Sequence, residues 1–237
     1  MFVQYDPTLI MLSILVAILG SLTGLALNFD HEPAGAAYPA NLLIKSAILI
    51  GGSIWSMHFI AMLAVKFPAA IDYNSVETLL SLFVAILFTG VGLFIASAQP
   101  LGVLRIPIGG ILMGCGIGGM HYLGMSAIRG CGLIYDFNGV ALSLAVAIGA
   151  STVALWFTFR QRGVFETLIG GFILGVAISG MHYTGMYATS FYPIESPFDA
   201  ATPLLSQKAL ALAVAAAAIT ICCMYLLLFS SMLRRET

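Results

Sequence analysis

Between residues 8 and 28 the chain carries no charged side chain, and the same holds for 140–159 and 209–233. About 20 apolar residues in helical form cross the hydrocarbon core of a bilayer. Windows of that length, set off by charges and Pro/Gly punctuation, recur seven times: 8–28, 41–65, 77–98, 107–128, 140–159, 165–189 and 209–233. Only 8% of the residues are charged, against about 25% in a soluble domain, so a water-facing surface cannot be built. The sequence predicts an all-α membrane protein of seven transmembrane helices, a single transmembrane domain over 1–237. The missing N–H of Pro107 suits the first position of the fourth helix.

Within these spans one pattern returns three times. Residues 56–62 read SMHFIAM, residues 119–125 read GMHYLGM, and residues 180–186 read GMHYTGM. Three of the four histidines therefore share one Met-His-x-x-x-Met frame, at separations of 63 and 61 residues. Around the second and third copies, residues 109–128 and 170–189 align without gaps and agree at 11 of 20 positions. Self-similarity of this kind fixes architecture: the first six helices form three repeated two-helix hairpins, approximately 8–65, 77–128 and 140–189, with an extra helix at 209–233. Gly110, Gly114 and Gly118, matched by Gly171, Gly175 and Ser179, form ladders that let membrane helices approach closely. Trp55 breaks the ladder in the first repeat, so the three-fold symmetry is approximate.

Orientation follows from Lys and Arg near the helix ends. Lys45, Arg105, Arg160, Arg162, Arg234 and Arg235 fall on one side; Lys66, Arg129 and Lys208 fall on the other. The excess predicts an N-terminus outside and a C-terminus in the cytoplasm. All three motifs then lie in the last third of outward-running helices, at one depth near the outer face. The membrane lipid is the surrounding partner, and no basic cluster suggests nucleic acid.

At 100° per residue, His58 and Met62, His121 and Met125, and His182 and Met186 each lie on one helix face, one turn apart. The leading residues Met57, Met120 and Met181 sit about 100° from their histidines and need a local distortion to share a metal. Imidazole and thioether form a soft-to-borderline ligand set that selects copper, Cu(I) above all. No Asp or Glu lies within the motifs, which disfavours hard cations. Three histidines also suit zinc, without explaining the methionines. Haem is conceivable with His ligands. One or more copper ions are compatible with nine candidate metal ligands: His58, His121, His182, Met62, Met125, Met186, Met57, Met120 and Met181.

Around the motifs, Phe59, Tyr122 and Tyr183 read as interfacial belt aromatics or as partners of the histidines. Cys115 reads as core rather than as a ligand, and Cys131 as a free thiol in an outer loop. Without a CxxC, the four cysteines imply no disulfide framework. The connector 190–208 is either an outer lid or an ordinary link. The sequence contains no acid–base pair or nucleophile motif, and an enzyme is not expected.

Three copies of Met-His-[Tyr/Phe]-x-[Gly/Ala]-Met on alternate helices resemble the bacterial MHYT integral membrane sensor domain, over roughly residues 8–233. The resemblance implies copper held by the Met and His residues named above, and sensing of a diatomic gas (oxygen, carbon monoxide or nitric oxide). It also implies a multi-pass protein of the bacterial inner membrane that signals to a cytoplasmic domain or protein, commonly one that makes or degrades cyclic di-GMP. No cytoplasmic output domain is expected within 1–237. Two other readings stay open: a copper-handling or transport protein, and a copper-dependent membrane enzyme.

Overall fold

The computed structural model describes residues 4–27, 38–67, 69–98, 104–160, 164–194 and 204–233. Asn28, Arg162, Arg234, Arg235 and residues 195–203 of the expected lid lie outside these. In chain order the elements are β1 (Gln4–Tyr5), α1 (Pro7–Ala26), α2 (Ala40–Leu63), β2 (Val65–Lys66), β3 (Asp72–Asn74), α3 (Ser75–Ser97), α4 (Arg105–Ser126), β4 (Ile128–Arg129), β5 (Cys131–Tyr135), α5 (Phe137–Arg160), α6 (Val164–Tyr187), β6 (Thr189–Pro193), β7 (Leu204–Leu205) and α7 (Gln207–Leu233). All seven helices are long and apolar enough to span a membrane.

Hydropathy alone misses the short strands, and they explain the shifted boundaries. The motif helices α2, α4 and α6 stop at Leu63, Ser126 and Tyr187 because Val65, Ile128 and Thr189 pair as strands. The odd helices start early because polar caps precede them. The Asp6 side chain accepts from the N–H groups of Thr8 and Leu9, and the Asn74 side chain accepts from those of Val76 and Glu77. Such caps satisfy amides that have no partner inside the helix. Pro107 is the third residue of α4, not the first, still within the turn whose N–H groups find no intrahelical partner.

The strands clip each hairpin shut at the end where the motifs lie. β1 pairs antiparallel with β2, β3 with β4, and β5 with β6, so each odd helix is tied to the even helix that follows it. Three equivalent hydrogen bonds, each 2.8 Å long, repeat the clip: Asp6 N–H to Ala64 O, Asn74 N–H to Ala127 O and Asp136 N–H to Ala188 O. β7 extends the β3–β4 pair into a three-stranded sheet. Because Asn74 is both buried and an N-cap, Asn74→Ala is expected to lower stability by about 1 kcal/mol, read as an earlier thermal unfolding transition in detergent.

The hairpins close into a ring. α2 packs on α3, α4 on α5 and α6 back on α1, while α2, α4 and α6 meet one another inside. Burial follows this order: 83% of the apolar window is buried in α2, 56% in α4 and 50% in α6, against 33% in α3 and 28% in α5. Exposed side chains such as Phe83, Phe94, Phe172 and Leu212 face outward, as lipid contact requires. α7 stands outside the ring against α1 and α2.

The glycine ladders act between hairpins. A Cβ at Gly114 would stand 2.5 Å from Ile148 Cα of α5, and one at Gly175 the same distance from Ile18 Cα of α1. The equivalent Gly51 would bring its Cβ 2.7 Å from Ile86 Cα of α3. Where Trp55 interrupts the ladder, its Nε1–H donates to Thr78 O of α3 at 3.1 Å.

Candidate metal centre

The three histidines enter the bundle interior at one level and are fully buried. Their Nδ1 atoms form a triangle: His58 to His182 is 3.1 Å, His121 to His58 is 3.2 Å and His182 to His121 is 3.2 Å. The ring planes cross at 86°, 78° and 90°, a three-bladed propeller with the nitrogens at its hub. This is the one cluster of His, Cys, Asp or Glu with metal-binding geometry found among the described residues.

Hydrogen bonding alone cannot satisfy this hub. Each neutral imidazole nitrogen is either a donor or an acceptor, and around a cycle of three the roles cannot alternate. One pair must set lone pair against lone pair, or N–H against N–H. A cation at the centre removes the conflict by accepting all three lone pairs. The centre of a triangle lies at the side divided by √3, here about 1.8 Å from each nitrogen, close to the 2.0–2.1 Å of imidazole–metal bonds. The residues therefore fit a metal ion bound by three imidazoles.

Neighbouring glycines fix how the motif helices are rotated. Gly114 faces α5, Gly116 faces Phe88 of α3, and Gly124 faces His58 across the bundle. The interior direction on α4 therefore lies near Gly124, about 60° around the helix from His121. Ile117 and Met113, one and two turns nearer the other end of the bundle, flank that direction. Their equivalents are Ile54 with Ile50 and Ile178 with Leu174; all six are buried. Met120 lies about 40° from the interior direction and Met125 about 100° from it, reversing the order that i, i+4 spacing alone implies. The same offsets apply to Met57 and Met62 on α2 and to Met181 and Met186 on α6. All six methionines are buried.

Aromatic residues buttress each histidine. The rings of Phe59, Tyr122 and Tyr183 stand edge-on to His58, His121 and His182 at 4.7, 4.7 and 5.0 Å. Tyr122 and Ser143 hydroxyls hydrogen-bond at 2.7 Å, and those of Tyr183 and Ser13 at 2.9 Å. These tyrosines thus bridge a motif helix to the next odd helix, beyond the role of belt aromatics. Phe59 cannot do so, and the equivalent Ser81 donates to Thr78 O.

An outer aromatic layer had an unread signal in the sequence. Tyr5-Asp6, Tyr73-Asn74 and Tyr135-Asp136 repeat at separations of 68 and 62 residues. The three tyrosines pack edge-on against Tyr183, Phe59 and Tyr122. Burial and the neighbouring Tyr122 push the Tyr135 hydroxyl up to about 12.

The cysteines lie apart from the hub. Cys115, expected in the core, is exposed, because six residues before His121 is the face that turns away from the bundle. Cys131 is a free, buried thiol, and burial raises its pKa against the opposing effect of a hydrogen bond with the Ala69 backbone.

Comparison with known proteins places this arrangement. The MHYT model, described as a bacterial signalling protein N-terminal repeat, matches residues 51–109, 114–171 and 175–235. Each match begins at the glycine seven residues before a motif histidine, so the family unit pairs a motif helix with the helix that follows it. In the ring, α1 occupies beside α6 the place that α3 takes beside α2 and α5 beside α4.

The bifunctional diguanylate cyclase/cyclic di-GMP phosphodiesterase MucR of Pseudomonas aeruginosa is 38% identical over 194 residues, 79% of this chain and 28% of that protein. The signaling protein YkoW of Bacillus subtilis is 33% identical over 202 residues, 82% of this chain and 25% of that protein. The cyclic di-GMP phosphodiesterase NbdA of Pseudomonas aeruginosa is 34% identical over 191 residues, 78% and 24% respectively. The chain spans about a quarter of the length of these relatives. No solved structure matches it. With three matches that cover most of its length, each containing one histidine motif, the chain belongs to the MHYT family of bacterial membrane signalling domains.

Proposed function

We propose that the chain is a sensory module of the bacterial inner membrane that binds copper at the histidine hub near the outer face and responds to a diatomic gas. The observation that carries this reading is the Nδ1 triangle, closed at 3.1–3.2 Å with no proton arrangement that satisfies it. His58, His121 and His182 hold the ion. Met57, Met120 and Met181, near the interior direction, are the closer thioethers, and Met62, Met125 and Met186 line the side toward the odd helices. Imidazole and thioether without any carboxylate favour Cu(I) over harder ions.

Bound copper supplies an open coordination position for a small ligand. The apolar walls of Ile54, Ile117 and Ile178 admit uncharged oxygen, carbon monoxide or nitric oxide more readily than anions, because a buried charge without a partner is costly. A ligand acts on signalling only by favouring one arrangement of the helices over another. Excess Lys and Arg at the opposite end favour a cytoplasmic C-terminus, from which the signal reaches a cytoplasmic domain or protein of cyclic di-GMP metabolism, in line with the names of MucR and NbdA.

Transport of copper is less well supported. The ligands form one layer, and two buried apolar layers separate it from the other end of the bundle.

Protein purified after expression with copper supplied should contain copper in stoichiometric amount and show a carbon monoxide stretching band in the infrared when reduced. Wild-type protein free of copper, or copper that moves across vesicles, would overturn the reading.

A further inference from the structure

The glycine before the last Met of the second and third motifs stands against a histidine ring of the preceding motif. A Cβ at Gly124 would lie 2.5 Å from Nε2 and 2.9 Å from Cδ2 of His58, and its three nearest neighbours are all atoms of that ring. A Cβ at Gly185 would lie 2.6 Å from Nε2 and 3.1 Å from Cδ2 of His121. These two imidazoles therefore span from the central triangle, at Nδ1, to the bare backbone of the next motif helix, at Nε2. Both Nε2 atoms, and that of His182, are buried without a protein hydrogen-bond partner.

The relation runs one way around the ring: His58 of α2 against α4, His121 of α4 against α6. The equivalent seat for His182 of α6 is Ala61 of α2, which is fully buried. Here a methyl is accommodated while the triangle stays closed, with His58 and His182 at 3.1 Å.

We propose that Gly124 and Gly185, with Ala61, are positioning residues that seat the imidazole of the preceding motif, so that each motif copy supplies one ligand and orients another. The seat sets the distance from backbone to hub, and with it the geometry offered to the metal. This builds on the copper reading of the hub, but its structural core can be tested without metal.

The test is a double-mutant cycle in metal-free protein. Gly124→Ala should lower the thermal unfolding midpoint in the wild-type background and leave it nearly unchanged in a His58→Ala background. Gly185→Ala should behave likewise with His121→Ala. Gly119→Ala is the control on the same helix, because its Cβ would meet only Val84 at 3.7 Å; it should be tolerated in both backgrounds. If Gly124→Ala alone fails to fold, recovery of folding by adding His58→Ala supports the seat equally. Equal losses with and without the histidine, or a double variant that also fails to fold, would overturn the proposal.

A second readout applies once copper binding is established. Cu(I) affinity in competition with a chelator should fall at least tenfold in Gly124→Ala and stay within twofold in Gly119→Ala. A chain that shows the stability coupling but binds no copper would keep the seats and sink the metal reading.

Discussion

His121→Ala is expected to bring copper from one equivalent or more per chain to a level that dialysis removes, and the same is expected of His58→Ala and His182→Ala. Loss of a partner that merely orients a ligand costs 10–100-fold in affinity, so loss of one of three ligands should cost more. The second readout is thermal. A ligand that binds only the folded state at a concentration 100 times its Kd stabilises that state by about 2.7 kcal/mol, so copper should raise the unfolding temperature of the wild type and not that of the variants. In metal-free protein the difference should be small. Removing one ring opens a cavity but also removes a member of a cycle whose nitrogen roles conflict, so the midpoint of metal-free His121→Ala should stay near that of metal-free wild type. Copper retained in all three variants would show that the hub is not the site.

Gly114→Val should prevent the fold from forming. A Cβ there falls 2.5 Å from Ile148 Cα and 2.6 Å from Ile148 N, and backbone cannot step aside as a side-chain tip can. α4 and α5 would have to separate, which would also move His121 away from the other two rings. Overpacking in a dense interior costs on the order of 1–3 kcal/mol when side chains can adjust, and here they cannot. The expected result is aggregated or protease-sensitive protein, measured by size-exclusion profile and limited proteolysis, while Gly119→Ala five residues along stays monodisperse.

The helices, the hairpin repeat and the histidine layer were legible because each depends on a local rule. Span length, a 63- and 61-residue recurrence and the shared helical phase of three motifs all sit in the linear text. The rotation of each helix was not legible, because the spacing of His121 and Met125 says that they share a face without saying which way it turns. Contacts such as Gly116 with Phe88 and Gly124 with His58 set that direction, and by helical angle Met120 lies closer to it than Met125. The strands escaped because they run from two residues, as in Val65–Lys66, to five, as in Cys131–Tyr135, and lie between windows chosen for hydropathy. The Tyr5-Asp6, Tyr73-Asn74 and Tyr135-Asp136 repeat was readable but sits in the strands and caps before the odd helices, outside those windows. Cys115 was misplaced for a simpler reason: in lipid an apolar side chain can lie on either face of a helix.

α7 sits outside the ring because α1 fills the place beside α6, and it leans on α1 and α2. The three ligand helices are therefore not equivalent as levers. Under the proposed reading, a shift of His58 would reach α7 across a packed wall, whereas α4 and α6 have no comparably extensive packing against α7. The repeat that diverges in sequence, with Phe59 and Ala61, is thus the one whose motif helix packs on α7, and a nearly three-fold bundle acquires a single preferred side.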